Sequence, residues 1–444
     1  MILKYKIAVA SLGCAKNLVD TENMLGLLNE KGYEFVSAPE EADIIIVNTC
    51  AFIGDAKEES INTILDMAQY KESGKLRFLI VAGCLSERYH DDIKRELPEV
   101  DAIIGTGDFN KICDVIESLE KGENICLYGH SESFELEGMA RMLTTGKHSV
   151  YLKIAEGCDN KCTYCVIPSI RGKYRSRTIE DIVCEAKKLA DMGARELILI
   201  AQDTTCYGKD IYGEVRLCEL LESLCKIENI EWIRLHYCYP EGIDEKLLDT
   251  IAANKKILHY FDIPIQHASD NVLKRMGRRT NKESIESIIY KIREKMEDAI
   301  IRTSLIVGFA GETKDDFDTL CTFVSKMRLD RVGVFAYSKE ENTPAAKLDG
   351  QISERVKNKR RDKLMQIAQK ISLEKNEQRV GSVVRVICDG FDEENCLYFG
   401  RSYADSIAVD SLVYFGASRE IECGQFVNVK ILCAQEYDLI GEEI

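Results

Sequence analysis

The chain has 444 residues, of which 45% are hydrophobic and 30% are charged, and its formal net charge at pH 7 is −16. This length exceeds what one hydrophobic core supports and predicts two or three domains. The negative charge argues against broad nonspecific nucleic-acid binding, because neutralising phosphates requires lysine and arginine. No apolar run reaches the roughly 18–20 residues of a membrane span. The N-terminus also lacks a signal-peptide pattern, so we expect a cytoplasmic protein with no membrane partner.

Residues 1–128 alternate apolar strand-like runs with amphipathic helical runs. This alternation predicts an α/β domain with a doubly wound parallel sheet. The predicted strands are residues 6–12, 43–49, 78–83 and 101–105. The predicted helices are residues 20–30, 55–70, 86–96 and 110–119.

Three cysteines of this domain, Cys14, Cys50 and Cys84, follow predicted strands at once or within two residues. The carboxyl ends of parallel strands share one edge of the sheet, where ligands bind, so these thiols can converge. Gly13 and Gly83 let the backbone turn tightly beside them. Spacing alone leaves two interpretations open, which are apolar packing and an inorganic centre.

Residues 129–147 show no sustained periodicity and are interpreted as a linker. Residues 148–375 then repeat strand and helix six times, which predicts a partial (β/α)6 barrel related to the TIM architecture. Such a barrel carries its site at the carboxyl ends of its strands. The predicted strands are residues 150–155, 196–201, 232–236, 260–265, 300–308 and 332–337. The predicted helices are residues 178–192, 217–226, 244–253, 282–295, 313–326 and 353–375.

A second group of cysteines, Cys158, Cys162 and Cys165, follows the first predicted strand of this domain. Thiolates are soft ligands that favour iron–sulfur clusters, zinc or Cu(I). Three ligands leave one metal position open, which is typical of a site for chemistry. The alternatives are a structural zinc loop with a distant fourth ligand, or Cys162 and Cys165 as a redox dithiol. The remaining 12 of the 18 cysteines lack ligand-like spacing and are interpreted as packing residues.

Residues 376–444 form short alternating runs, at 383–389, 396–402, 406–409, 426–434 and 437–440. Five short strands predict a small OB-like β-barrel. This segment contains 13 Asp and Glu against 5 Lys and Arg, a net charge of −8. A groove that binds nucleic acid should be positively lined, so an acidic barrel favours a basic protein partner instead.

Cys-x3-Cys-x2-Cys, with Tyr164 before the third cysteine, resembles the signature of the radical S-adenosylmethionine (radical SAM) enzymes. In that superfamily three cysteines hold a [4Fe–4S] cluster whose fourth iron binds S-adenosylmethionine (SAM). The longer string from Ile154 to Cys158 and from Tyr174 to Arg177 resembles the methylthiotransferase branch. This resemblance implies a second [4Fe–4S] cluster at Cys14, Cys50 and Cys84. It also implies that the C-terminal barrel is a TRAM domain.

The same resemblance implies SAM contacts at the carboxyl ends of the central strands. The residues at matching positions are Tyr164, Gln202, Asp203, Gln266, Gly308 and Glu312. Loop capping and turn formation are the alternative role for the Gln, Asp and Glu side chains among them.

The resemblance implies an enzyme that inserts sulfur at an unreactive carbon with two clusters and two SAM molecules. The central cluster would reduce SAM to a radical that takes hydrogen from the substrate, and the N-terminal cluster would hold the sulfur. Residues 11–22, 201–208, 262–269 and 335–344 resemble the branch that acts on the β-carbon of an aspartate in small-subunit ribosomal protein twelve. The implied partners are that basic protein, an electron donor and a sulfur source, and we expect a monomer. A tRNA adenosine methylthiotransferase and a non-catalytic Fe–S or zinc protein are the alternatives.

Overall fold

The computed structural model describes residues 5–129 and 138–444. Its N-terminal part is a sheet of six parallel strands between helices. Residues 1–4 of the predicted N-terminal domain and 130–137 of the predicted linker lie outside the described residues. The strands are β1 (Lys6–Ser11), β2 (Glu34–Phe35), β3 (Ile44–Thr49), β4 (Phe78–Gly83), β5 (Ala102–Ile104) and β6 (Ile125–Leu127). The helices are α1 (Ala15–Glu30), α2 (Gly54–Ala68), α3 (Tyr70–Ser73), α4 (Cys84–Glu96) and α5 (Ile112–Glu120).

The strand order β2-β1-β3-β4-β5-β6 confirms the doubly wound prediction. Helices α1 and α5 pack on one face of the sheet, and α2 and α4 pack on the other. Both faces are therefore buried, which explains why β3 and β4 are apolar along nearly their whole length. The sequence analysis missed β2 and β6, because strands of two or three residues are too short to show a period.

The central part is an open sheet of six parallel strands in the order β14-β13-β12-β11-β10-β7, which confirms the partial barrel. Its strands are β7 (Ser149–Lys153), β10 (Glu196–Ile200), β11 (Trp232–Leu235), β12 (Ile257–Asp262), β13 (Ile300–Val307) and β14 (Arg331–Ala336), with a separate pair β8 (Ala155–Glu156) and β9 (Arg175–Ser176). Its helices are α6 (Ile167–Arg171), α7 (Ile179–Asp191), α8 (Lys209–Tyr212), α9 (Leu217–Cys225), α10 (Glu245–Ala253), α11 (Asp270–Arg275), α12 (Lys282–Lys295), α13 (Lys314–Met327) and α14 (Glu354–Glu377).

Local signals fix the start of three of these helices. Thr178, Asp244 and Thr313 accept hydrogen bonds from the third backbone amide after them and so begin α7, α10 and α13. The fourth predicted strand was displaced, since β12 spans Ile257–Asp262 rather than residues 260–265. Pro264 has no amide hydrogen to donate to a neighbouring strand, and the chain leaves the sheet before it.

The C-terminal part is a closed barrel in the order β15-β16-β17-β19-β18. Its strands are β15 (Val383–Asp392), β16 (Leu397–Ser402), β17 (Val413–Gly416), β18 (Phe426–Ala434) and β19 (Leu439–Glu443). The predicted strand at residues 406–409 was wrong, because these residues belong to the loop between β16 and β17. Ile407 of this loop packs with Tyr151 and Ile200 of the central sheet, so its apolar pattern reflects contact with another domain.

The β16–β17 loop covers the concave face of the central sheet, where a closed barrel would have its interior. Ser406 lies 2.8 Å from His236 Nε2, and Asp410 accepts a hydrogen bond of 2.5 Å from Tyr260. Arg331 forms an ion pair of 2.6 Å with Asp405 of the same loop. Contacts from several strands to one loop fix the C-terminal barrel against the central sheet.

The N-terminal sheet domain contacts both ends of the open central sheet. Asp20 of α1 pairs with Lys153 at the end of β7. At the other end, Glu340, which follows β14, lies 2.8 Å from both Lys57 of α2 and Arg88 of α4. The N-terminal domain therefore spans the carboxyl edge of the central sheet from its first strand to its last. No helix in the described ranges is long and apolar enough to cross a membrane.

Candidate active site

The N-terminal cysteines lie at the carboxyl ends of three adjacent strands. Cys14 is the N-cap of α1 after β1, Cys50 follows β3, and Cys84 is the first residue of α4 after β4. Because β1 and β3 are neighbours from which the chain winds in opposite directions, their carboxyl ends form the crevice where open α/β sheets bind ligands. Two of the thiols also lie at helix N-termini, which favour negative charge.

Two glycines make this convergence sterically feasible. Gly13 has φ +90° and Gly83 has φ +94°, a region that side chains rarely adopt. A Cβ at Gly13 would lie 2.7 Å from the Cβ of Cys50, and one at Gly83 would lie 2.2 Å from Asn48 Oδ1. The backbone therefore approaches closely at both turns, as the sequence analysis expected.

The charges around these thiols show that they share one environment. Desolvation raises the pKa of Cys50 and raises that of Cys84 to about 12, while the Arg171 guanidinium acts in the opposite direction on both. At Cys14 desolvation by surrounding atoms is outweighed by the charges of Lys16 and Arg171, which hold its pKa below the ordinary value. The charge of Cys14 also raises the pKa of Cys50 and Cys84, so the three sulfurs are close enough to interact.

The central cysteines occupy one loop between β8 and α6. Burial raises the pKa of Cys158 to about 11 and that of Cys165 to about 12, and at both the charge of Cys162 raises it further. The amide of Ile167, at the start of α6, points at Cys165 Sγ from 3.5 Å. The three thiols therefore lie in one eight-residue loop, and their role as ligands of one cluster stays a prediction.

Arg278 is a site residue that the sequence analysis missed. Its Nη1 lies 3.9 Å from Cys162 Sγ, and its guanidinium stacks over the Tyr239 ring at 4.4 Å. The side chain is buried, and it reaches the cysteine loop from the segment after α11. No local pattern marked this residue, because the contact spans 116 positions of sequence.

Among the predicted SAM contacts, Gln202 has a polar atom available for a ligand. Its Nε2 donates to Glu156 Oε1 over 2.7 Å, while its Oε1 is buried with no hydrogen-bond partner among the described residues. Asp203 instead braces the cysteine loop, since it accepts a hydrogen bond of 2.9 Å from Asn160 and caps the turn at Thr205. Capping is therefore a role that Asp203 already fills.

Gln266 lies where the chain leaves β12. It has φ +69°, and left-handed backbone in a residue other than glycine costs on the order of 1–3 kcal/mol. Its carbonyl accepts from Ile306 N over 2.7 Å and its amide donates to Ser304 O over 3.0 Å, so β13 holds this conformation in place. Such strain is typical of positions that present a side chain to a ligand.

The side chain of Glu312 closes the turn formed by residues 308–312. The Glu312 carboxylate accepts from the amides of Gly308 and Phe309, the latter over 3.0 Å, and pairs with Arg360 at 2.8 Å. Burial raises the pKa of Glu312 to about 7. The alternative role of loop capping therefore applies to Glu312. Tyr164 packs edge-on against Phe309 with ring centroids 6.3 Å apart, beside the same turn.

The donor sets fit iron–sulfur chemistry, because three thiols at each site are the ligands that [4Fe–4S] clusters use. Within the described residues, no three His, Cys, Asp or Glu side chains are close enough together to hold a single metal ion.

Comparisons with known proteins decide the family. The chain is 52% identical over 436 residues to the ribosomal protein uS12 methylthiotransferase RimO of Lachnoclostridium phytofermentans, which covers 98% of this chain and 99% of the relative. It is also 52% identical to the RimO protein of Clostridioides difficile, over 98% of both chains. The chain belongs to the RimO methylthiotransferase family.

Family descriptions match the three parts of this RimO-family chain. Residues 6–105 match Uncharacterized protein family UPF0004, residues 152–324 the Radical SAM superfamily, and residues 380–444 the TRAM domain. The C-terminal barrel is thus a TRAM domain, as predicted.

Solved structures support the fold. The radical SAM methyltransferase TsrM from Kitasatospora setae, with cobalamin and a [4Fe-4S] cluster bound, has a TM-score of 0.57 at 14% identity, over 85% of this chain and 75% of TsrM. OxsB, a cobalamin-dependent SAM radical enzyme, has a TM-score of 0.51 at 14% identity, over 83% of this chain and 56% of OxsB. At this identity the likeness concerns the fold alone.

Membership makes this protein a radical SAM methylthiotransferase whose cofactors are [4Fe–4S] clusters and SAM. The predictions of family, enzyme class and cofactor type are confirmed. The individual ligand and contact residues stay predictions.

Proposed function

We propose that the enzyme adds a methylthio group to the β-carbon of an aspartate in ribosomal protein uS12. In this proposal Cys158, Cys162 and Cys165 hold the [4Fe–4S] cluster that binds SAM. Cys14, Cys50 and Cys84 hold a second [4Fe–4S] cluster. The two trios differ in their domain of origin, yet each has the donor set that a cluster with one open iron requires.

One observation carries this proposal. Helix α6 has five residues, begins two residues after Cys165, and ends at Arg171, whose Nη2 lies 3.6 Å from Cys84 Sγ. Because a helix rises about 1.5 Å per residue, so short a helix keeps the two cysteine sites close together. A transfer that uses both sites on one substrate needs this proximity.

When bound, the clusters and SAM supply the radical and sulfur-transfer chemistry, and the protein supplies positioning. Gln202, with its free carbonyl oxygen, and Gln266 would orient SAM at the carboxyl ends of β10 and β12. Tyr164 and the Gly308 turn would border its adenine, beside Phe309. The N-terminal domain contacts this edge at the first and the last strand of the central sheet.

The charge of the protein supports a basic protein substrate. The TRAM domain has six exposed glutamates, which are Glu393, Glu394, Glu420, Glu422, Glu436 and Glu442. Its buried aspartates serve the fold instead, since Asp405 pairs with Arg331 and Asp410 with Arg302 of the central sheet. Part of the acidic character that suggested a partner is therefore used inside the molecule. The exposed glutamates remain available for a basic protein.

The proposal includes a cytoplasmic location, a monomeric state, an electron donor for the central site and a sulfur source for the N-terminal site. The sequence resemblance supports these assignments.

A mass measurement with two substrates tests the function. The anaerobically reconstituted enzyme receives SAM, a reductant and either uS12 or tRNA, and each product is analysed by mass spectrometry. We expect one methylthio group on an aspartate of uS12 and none on tRNA. Modification of tRNA adenosine alone would establish the tRNA methylthiotransferase instead. Reconstituted enzyme should contain about eight iron atoms, as two four-iron clusters require, whereas a zinc protein would contain none.

A further inference from the structure

A buried polar junction connects the two cysteine sites. Arg171 is 1% exposed, and its Nη2 donates to Asn17 Oδ1 over 2.5 Å and lies 3.6 Å from Cys84 Sγ. Its Nη1 donates to Glu156 over 2.7 Å and to Asp20 over 3.2 Å. One guanidinium therefore contacts the N-terminal domain and the central domain at once.

The N-terminal side of this junction reaches the loops of all three N-terminal cysteines. Asn17, which accepts from Arg171, donates its own Nδ2 to Leu12 O over 3.1 Å and to Thr49 O over 2.8 Å. Leu12 lies two residues before Cys14, and Thr49 directly precedes Cys50. Together, Asn17 and Arg171 contact the Cys14 loop, the Cys50 loop and the Cys84 sulfur.

The central side of the junction reaches the cysteine loop and a predicted SAM contact. Glu156, which is 4% exposed, accepts from Arg171 with one oxygen and from Gln202 with the other. It lies two residues before Cys158 and also accepts from Gly157 N over 3.2 Å. Because both ions are buried, their charges are stabilised by this pairing rather than by water, so the contacts are strongly maintained.

We infer that Arg171 is a positioning residue for the N-terminal cluster site, which it fixes against the central site through Asn17 and Glu156. This inference rests on the proposed role of Cys84 as a cluster ligand. A fixed positive charge beside a ligating sulfur also stabilises the reduced cluster, so Arg171 raises the reduction potential of that site. In the central site, the guanidinium of Arg278 likewise lies beside the sulfur of Cys162.

The test uses the full-length enzyme with Cys158, Cys162 and Cys165 replaced by alanine, so that only the N-terminal cluster remains. The midpoint potential of this cluster is measured by a redox titration followed by electron paramagnetic resonance. We expect R171M to shift the potential to more negative values. R171K, which keeps the charge but loses the planar fork, should lie closer to the unsubstituted protein. An unchanged potential in R171M with full iron content overturns the inference.

The matched control is R234M. Arg234 is fully buried and pairs with Glu196 at 2.8 Å, near the amino ends of the central strands, and its contacts in the part of the chain that the structure describes include no cysteine. R234M, like R171M, removes a buried guanidinium from its carboxylate partner. A shift in midpoint potential in R234M equal to that in R171M would therefore mean a general structural effect and would also overturn the inference.

A second readout uses the enzyme with both sites intact. We expect R171M to lower the methylthio product per 5′-deoxyadenosine by about 10–100-fold, the usual cost of removing a group that holds a metal ligand in place. Loss of the N-terminal iron alone, with 5′-deoxyadenosine formation intact, supports the inference as well. If R171M does not fold, R171K decides: a reduced product ratio supports the inference and an unchanged ratio overturns it.

The proposed function fails separately from this inference. If C84A retains all the iron of the unsubstituted enzyme, Cys84 is not a ligand and the assignment of the N-terminal cluster fails. If C84A loses about half of the iron while R171M behaves like the unsubstituted enzyme, the cluster assignment holds and only the role of Arg171 fails.

Discussion

Single residues control whether the cysteines can converge, and Gly83 is the clearest example. It turns the chain between β4 and Cys84 with φ +94°, and an added Cβ would lie 2.7 Å from Thr49 O as well as 2.2 Å from Asn48 Oδ1. Both atoms belong to the end of β3, which leads to Cys50. A side chain at Gly83 would therefore displace two of the three cysteine loops.

We expect G83A to destabilise the protein by more than 2 kcal/mol, an order-of-magnitude value that adds a steric clash to the cost of left-handed backbone. It should also bind about half of the iron of the unsubstituted enzyme. Thermal unfolding and iron analysis measure both effects. G122A is the matched control, because Gly122 has φ +82° but nothing within 4 Å of an added Cβ. Equal losses in the two variants would contradict the role of the clash.

Replacing a cysteine of the central trio should affect SAM cleavage, whereas replacing one of the N-terminal trio should not. C162A is expected to abolish 5′-deoxyadenosine formation, because Cys162 would ligate the cluster that binds SAM. C50A is expected to retain this reaction and to stop methylthiolation. Chromatography of 5′-deoxyadenosine and mass analysis of the substrate measure the two activities. Formation of 5′-deoxyadenosine by C162A would refute the assigned roles.

Among the elements, β16 connects the TRAM domain to the central sheet through one buried carboxylate. Glu196 of β10 accepts from Arg234 of β11 over 2.8 Å and from Arg401 of β16 over 2.7 Å. Burial alone would raise the pKa of Glu196, but the two guanidinium groups outweigh it and lower this pKa to about 2. Glu196 is therefore ionised in the folded protein throughout the ordinary pH range.

This depressed pKa predicts a loss of stability in acid. Glu196 stabilises the fold above its unfolded pKa of about 4.5, and the contribution disappears as the pH falls towards 2. R401M should destabilise the protein by about 3–5 kcal/mol, because it leaves a buried charge with one partner fewer. E196Q should reduce the dependence of stability on pH between about 5 and 3. Denaturant unfolding at several pH values measures both effects.

D318N is the control for this prediction. Asp318 pairs with Lys314 at 2.8 Å on the exposed face of α13, where such pairs contribute little. The free energy of unfolding of D318N should match that of the unsubstituted enzyme near neutral pH. A loss in D318N as large as that in R401M would show that burial is not the deciding factor.

Elements with a repeating pattern were predictable, and elements made by contacts between domains were not. The main helices and strands were found because apolar residues recur with the period of the structure. The segment 406–409 of the β16–β17 loop was mistaken for a strand because Ile407 is partly buried against the central sheet rather than inside its own barrel. A pattern within the sequence identifies a buried residue without identifying what buries it.

At the scale of the whole molecule, charge should govern how the enzyme meets its substrate. The net charge of −16, with six exposed glutamates on the TRAM domain, would attract a basic ribosomal protein over distances of about 8–10 Å at ordinary ionic strength. We expect kcat/KM for uS12 to fall several-fold as salt rises from about 0.05 to 0.5 M, with little change in kcat. Steady-state kinetics at several salt concentrations measure this.

Two variants sharpen this test. Charge reversal at Glu393 and Glu394, which are exposed and distant in sequence from every cysteine of the two trios, should weaken the salt dependence and leave 5′-deoxyadenosine formation without uS12 unchanged. K314E, an added negative charge on α13, is the control and should keep the salt dependence. A kcat/KM that does not respond to salt would remove electrostatic capture from the proposal.

The sequence by itself grouped six cysteines as three at predicted strand ends and three in one short loop, and its resemblance to the methylthiotransferases implied the cluster chemistry. It also determined the three-part architecture, since the periods of strands and helices are local properties. Only the tertiary structure identified Arg171, Arg278 and the β16–β17 loop as parts that connect the domains. Arg171 and Cys84 are 87 positions apart, and which distant side chains come into contact is decided by how whole elements pack.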